Sequence, residues 1–90
     1  MTAIPYRSTP IFDEVSLPAA LRREHRTKKG VWGVIRLIEG KVRYTIVDPW
    51  SETILTRDEP GFVQPEQVHF VEPLGPIRMQ VDFYDSDPSG

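Results

Sequence analysis

Ninety residues without an internal repeat leave room for one small domain, and residues 1–90 are read as a single unit. Hydrophobic residues at 39% and charged residues at 27% are ordinary for a globular chain, and eleven basic against thirteen acidic side chains (net charge −2) give no reason to expect nucleic acid or an anionic membrane as partner. The absence of cysteine removes disulfides, Cys-based zinc sites and thiol catalysis, so any metal must rest on His, Asp, Glu or carbonyl oxygens.

The chain opens with MTAIPYRSTP, which has no apolar stretch of the signal-peptide kind, and no later run approaches the roughly 18 apolar residues of a membrane span. A cytoplasmic location is the expectation. Pro5, Pro10 and Pro18 exclude a helix through residues 1–20, an irregular segment in which Ile11-Phe12 can still lie along a sheet edge. Pro18–Glu24 is compatible with one or two helical turns that start at Pro18, and RTKKG (26–30) reads as a charged turn closing at Gly30. Val31–Ile38 and Lys41–Val47 are rich in β-branched and aromatic residues, and with Glu39-Gly40 between them they predict a hairpin. Asp48-Pro49-Trp50-Ser51 predicts a turn, Thr53–Thr56 a short strand, and Arg57–Gly61 another turn. Phe62-Val63 and Val68–Glu72 read as strands around Pro65, with a break at Pro73–Pro76. In Ile77–Tyr84, Ile77, Met79, Val81 and Phe83 fall on one face and Arg78, Gln80, Asp82 and Tyr84 on the other. The tail from Asp85 to residue 90 is polar and reads as frayed. Six or seven short strands separated by Gly/Pro turns predict an all-β antiparallel sandwich or barrel, with an interior wide enough for side chains or one small ligand.

The chemistry such a chain can carry is limited. His25 lies before the predicted hairpin, and His69 sits in a late strand in phase with Gln67 and Val71, on the inner face. A histidine beside valines is commonly a hydrogen-bonded core residue, whereas two of them meeting across a barrel would form a ligand pair for a divalent metal. A catalytic centre wants a third protein ligand. Glu72, three residues after His69, supplies one only if Pro73 bends the strand; Glu24, Glu39 and Asp82 read as solvated. Gln67 can approach the same pocket. Arg22, Arg23, Arg26, Lys28 and Lys29 bracket His25 and read first as a solvated loop, with an anion-attracting rim as the functional alternative. Arg36 and Arg43, isolated within strands, either enter a polar pocket or lie across the outer surface, and Trp32 and Trp50 are packing residues before they are ligand platforms. No nucleophile elbow, phosphate loop or dinucleotide fingerprint is present.

The strings STPIFDEVSLPAALRREHRTKKGVWG and PEQVHFVEP, within a similarity running from about Pro5 to Tyr84, resemble the TehB/YeaR-like family, the tellurite-resistance TehB N-terminal type. The residues that carry the resemblance are Leu17, Pro18, Leu21, His25, Thr27, Lys28 and Gly30–Gly33 in the first string, and Pro65, His69 and Glu72-Pro73 in the second. The resemblance implies a small single-domain cupin-like double-stranded β-helix, a jelly-roll barrel. Cupins hold a divalent metal through two histidines and a glutamate of a first motif and a histidine of a second. His25 matches a first-motif histidine and His69 the second-motif one; Thr27 stands where the other first-motif histidine would be, and the glutamate position falls near Trp32 or Gly33. In the TehB members the methyltransferase chemistry belongs to a separate domain that uses S-adenosylmethionine, and it is not expected of these residues.

The residues and the resemblance together predict a small stress-response-type cupin that binds a divalent metal (zinc, nickel, iron or manganese) or a small anion. His25, His69 and Glu72 would be the metal ligands, and Thr27, Trp32, Arg36, Arg43 and Gln67 would lie around the ligand. The alternatives are a metal-dependent enzyme with a two-histidine centre acting on a small oxidised substrate, and a metal-free interaction module. A homodimer is compatible with an open strand edge in so small a barrel.

Overall fold

The computed structural model describes residues 4–89; the first three residues of the irregular N-terminal segment and the last residue of the tail lie outside it. Its strands are β1 (Arg7–Ser8), β2 (Phe12–Asp13), β3 (Trp32–Glu39), β4 (Val42–Ile46), β5 (Ser51–Leu55), β6 (Gly61–Val63), β7 (His69–Pro73) and β8 (Arg78–Tyr84), with one 3-10 turn at Ala19–Arg22 directly after Pro18. All pairings are antiparallel. One sheet runs β6-β3-β8, with β1 and β2 both laid along the free edge of β8, and the other runs β5-β4-β7. Pro10 lies between β1 and β2 and has no N–H to give, so this edge is made as two short pieces. Among the described residues no helix is long and apolar enough to cross a membrane.

The strands are where the alternation and turn residues put them, within a few residues, but two expectations about their assembly are corrected. β3 and β4 are not a hairpin: β3 pairs with β8 and β6, and β4 with β5 and β7. Gly40, at φ +75°, carries the chain from one sheet to the other, and a Cβ there would collide with the Pro76 carbonyl oxygen. The hairpin is instead β4–β5, closed around Asp48-Pro49 with Val42 opposite Leu55 and Ile46 opposite Ser51. Nor do the sheets close into one barrel among the described residues; they remain separate layers. An apolar-in, polar-out strand satisfies its pattern equally well beside its neighbour or across from it, so periodicity leaves this choice open.

The inner faces meet in a core that is densest where Leu37, Val42, Leu55, Ile77 and Met79 come together, each at most 4% exposed. Tyr44 crosses between the layers: its hydroxyl donates to the Phe62 carbonyl at 2.8 Å, and burial pushes the phenol pKa up to about 12. Gly61 permits that approach, since a Cβ would lie 2.6 Å from Leu55 Cδ1 and 3.1 Å from the Tyr44 ring.

Asp82 is the further correction. It lies on the outward side of β8 as the alternation requires, yet it is only 5% exposed. Ser8 Oγ donates to it at 2.6 Å from β1, and Arg36 Nε donates at 2.5 Å from β3. Burial raises its pKa, but the bonds from Arg36 and Ser8 outweigh that and hold the carboxyl below its usual value.

Candidate functional site

The dense core occupies one end of the two layers. Toward the other end, at Gly33 and Phe83 of the first sheet and His69 of the second, a cavity of about 360 Å³ opens between them. Its walls are the inward residues Ile35, Val63, Val71 and Val81, with Met79 shared between the cavity and the dense core. Its mouth is polar, formed by Tyr6, Arg7 and Thr9 from the N-terminal edge and by His25, Arg26, Thr27 and Lys28 from the turn before β3.

That turn is held in place by backbone bonds. His25 and His69 exchange both N–H···O=C bonds, at 3.0 and 2.9 Å, so His25 extends the second sheet beyond β7 by one bridge. The Glu66 N–H donates to the Thr27 carbonyl at 3.2 Å, the Thr27 hydroxyl donates to the Val31 carbonyl at 2.8 Å, and Gly30 closes the turn at φ +79°. The backbone carrying Arg26 and Lys28 is thereby held at the mouth.

Direct pairing places the two imidazoles on one face of the sheet, with ring centroids 4.1 Å apart. Each ring is oriented in the same way: His25 Nδ1–H donates to the Arg23 carbonyl at 2.9 Å, and His69 Nδ1–H to the Gln67 carbonyl at 2.8 Å. A carbonyl only accepts, so Nδ1 carries the proton and Nε2 is left as the free ring nitrogen. His69 is 3% exposed, with the edge of Tyr44 against it at 5.8 Å; burial, aided by the neighbouring His25, lowers its pKa to about 4 and keeps it neutral near pH 7.

The lining has a marked charge asymmetry. Arg7, Arg26 and Lys28 contribute three cations, and among the described residues no carboxylate lines the cavity. None of the three is in an ion pair among the described residues, and Arg7 rests over the Phe83 ring at 5.9 Å.

Of the residues singled out from the sequence, His25, His69 and Thr27 come together here. The others do not. Glu72 stays on the opposite face of β7 and is bound by Arg43 at 2.9 Å, because Pro73 continues the strand instead of bending it. Arg43 is thereby on the outer surface too, and Arg36 is occupied with Asp82 and Gln80 on the outer face of the first sheet. Trp32 is half-buried opposite Tyr84, away from the cavity. Gln67 contributes its backbone carbonyl to His69 while its side-chain Oε1 is buried without a partner, and it does not line the cavity. Arg7 lacked any sequence signal as a lining residue, since only the pairing of β1 with β8 brings it to Phe83; Gly33, near the position the resemblance gives to a metal glutamate, lines the cavity without a side chain. Arg26 and Lys28 belonged to the run whose first reading was a solvated loop.

The family model for the TehB-like domain matches residues 7–81. The chain belongs to the TehB-like domain family. The probable S-adenosyl-L-methionine-dependent methyltransferases TehB of Haemophilus influenzae strains 10810 and KW20/Rd are each 32% identical to it over 87 residues, covering 90% of this chain and 30% of theirs. This TehB-like chain thus spans under a third of the length of those curated relatives. The crystal structure of TehB from Haemophilus influenzae superposes with a TM-score of 0.82 at 28% identity, over 92% of this chain and 31% of that one. A crystal structure of a protein from E. coli strain K12 gives 0.81 at 22% identity over 92% and 90% of the two chains, a likeness of fold alone.

The metal ligand set expected from the sequence is incomplete in this TehB-like domain. With Glu72 turned away, no group of three His, Cys, Asp or Glu side chains is placed to hold an ion among the described residues. The two Nε2 atoms provide two protein ligands where a catalytic zinc-type centre uses three.

Proposed function

We propose that this TehB-like domain is a small-ligand-binding domain of cupin type that receives a small anion in the cavity between its sheets. The observation that carries the reading is the charge of the lining: Arg7, Arg26 and Lys28 converge on one cavity with no carboxylate among its lining residues, although the chain as a whole is net negative. An anion entering there gains three cations that have no ion-pair partner among the described residues, in a partly desolvated site where screening by solvent is weaker. The bonded turn fixes the backbone that carries Arg26 and Lys28, so only their side chains remain to be ordered on binding. The methyltransferase activity in the relatives' names is not extended to this region, which matches under a third of their length.

A second reading, a divalent ion on the imidazole pair, has one observation in its favour. Both Nδ1–H groups are anchored to carbonyls, the arrangement that orients Nε2 toward a metal.

The test is a titration of ¹⁵N-labelled protein with sodium sulfate, phosphate, acetate and benzoate at constant ionic strength, and separately with zinc chloride. Saturable shifts of the His69, Val71 and Val31 amides with at least one anion support the proposal. Shifts with zinc alone, at one equivalent, would replace it with the metal reading. Linear, unsaturable shifts with every probe would leave the cavity without a small ligand of either class.

A further inference from the structure

We infer that the anion taken by this cavity is an organic monocarboxylate with a compact apolar body, and that Gly33 sets how deeply that body enters. The inference rests on the anion reading and concerns what that reading leaves open, the part of the ligand beyond its charge.

Cation and apolar surface are segregated along the cavity. The charged side chains are all at the mouth, whereas the interior is Ile35, Val63, Val71, Met79 and Val81 without a hydrogen-bond donor among their side chains. A hydrated inorganic oxyanion could meet the mouth but would leave the interior walls uncovered. A cavity of about 360 Å³ is at the lower end of the range of small-molecule pockets, roughly 300–1,000 Å³, and suits a head group plus one ring or a short branched chain. The planar fork of Arg7 or Arg26 matches a carboxylate in geometry. The interior works against a second charge: Ile35, Val63, Val71, Met79 and Val81 offer a further carboxylate no donor to replace its hydration.

Gly33 is the residue without a side chain on this inner surface. It shares the inward phase of Ile35 and Leu37, and its φ is not in the left-handed region, so the backbone does not require glycine. A Cβ at Gly33 would stand 3.3 Å from Val63 Cβ, so the buried Val63 would have to give by a few tenths of an ångström, a milder demand than the 2.6 Å collision at Gly61 beneath Leu55. Glycine at 61 serves packing; glycine at 33 also packs against Val63, and its missing side chain leaves the cavity wall bare at that point. A larger side chain at 33 takes the space into which an apolar ligand body would go.

Dissociation constants for acetate, benzoate and sulfate, measured by amide shifts at constant ionic strength and pH 7.5, test this. Benzoate should bind about tenfold or more tighter than acetate, since each buried methylene equivalent is worth about fourfold. Sulfate should be weaker than benzoate. The exposed double variant R26E/K28E should weaken benzoate by about tenfold or more. Gly33→Val should bring the benzoate-to-acetate ratio close to one, and Gly33→Ala should reduce it part of the way. Equal affinity for acetate and benzoate, or sulfate binding tighter than benzoate, would overturn this inference while the anion reading stands. If no anion saturates, both fall. The ratios measured on the unsubstituted chain decide the ligand class even if Gly33→Val does not fold, and an unchanged ratio in Gly33→Ala would overturn the role given to Gly33.

Discussion

Arginines on the outer faces of the two sheets lie beside carboxylates, and the basic residues at the cavity mouth do not. Arg36 holds Asp82, Arg43 holds Glu72, and each pair spans neighbouring strands, so its charge is already used in aligning the sheet. Arg7, Arg26 and Lys28 have no such partner among the described residues and face a cavity instead of a strand. The difference teaches that the strand arginines beside outer-face carboxylates, Arg36 and Arg43, are poor guides to a site in this protein. The short basic run before β3, on a turn tied to His69, is the better one.

The comparison can be broken or sharpened by substitution. Leu55→Ala removes a side chain that is 1% exposed at the dense end, and should cost about 2–5 kcal/mol in denaturant unfolding. Anion affinity under native conditions should be unchanged, because Leu55 does not line the cavity; a matching loss of affinity would show that the two ends are not independent. His69 predicts an acid dependence whose sign is definite. Its pKa is 6.5 in the unfolded chain and about 4 when folded, so the unfolded state binds the proton first. The stability from keeping it neutral is complete above pH 6.5 and is lost as pH falls toward 4, by about 3 kcal/mol. Urea midpoints between pH 7.5 and 4 should track this loss, and His69→Phe should flatten the slope across that interval.

Asp82→Asn keeps the shape but removes the charge that Arg36 and Ser8 address, and should cost about 1–3 kcal/mol. The Asp82 carboxyl is depressed in the folded state, so its contribution is present above the unfolded value and is lost as pH falls through the lower folded one. Unchanged benzoate affinity in this variant would keep outer face and cavity separate. The smallest effect is expected at Glu72→Ala, whose partner pair is more than 40% exposed on both sides: about 0–1 kcal/mol in urea unfolding, with no change in zinc or anion titrations. A loss of zinc binding in that variant would return Glu72 to the site.

Much of this molecule was legible locally. The turns at Gly30 and Gly40, the short strands between prolines, the inward phase of His69 with Val71 and of Ile77 with Met79, and the resemblance carried by His25–Gly33 and Pro65–Pro73 all depend on a few consecutive residues, which the chain determines by periodicity and backbone freedom. What the tertiary structure decided is which faces meet. Alternation is blind to whether β3 and β4 pair or stand in opposite layers, and a glutamate in phase with the outer surface stays there unless the strand bends. The burial of Asp82 needs Ser8 from one strand and Arg36 from another, and the cavity needs Arg7 from β1 beside Lys28 from the turn before β3. Such constellations join residues dozens of positions apart. Their energy depends on distance in space and on the exclusion of water, neither of which is written in the spacing along the chain.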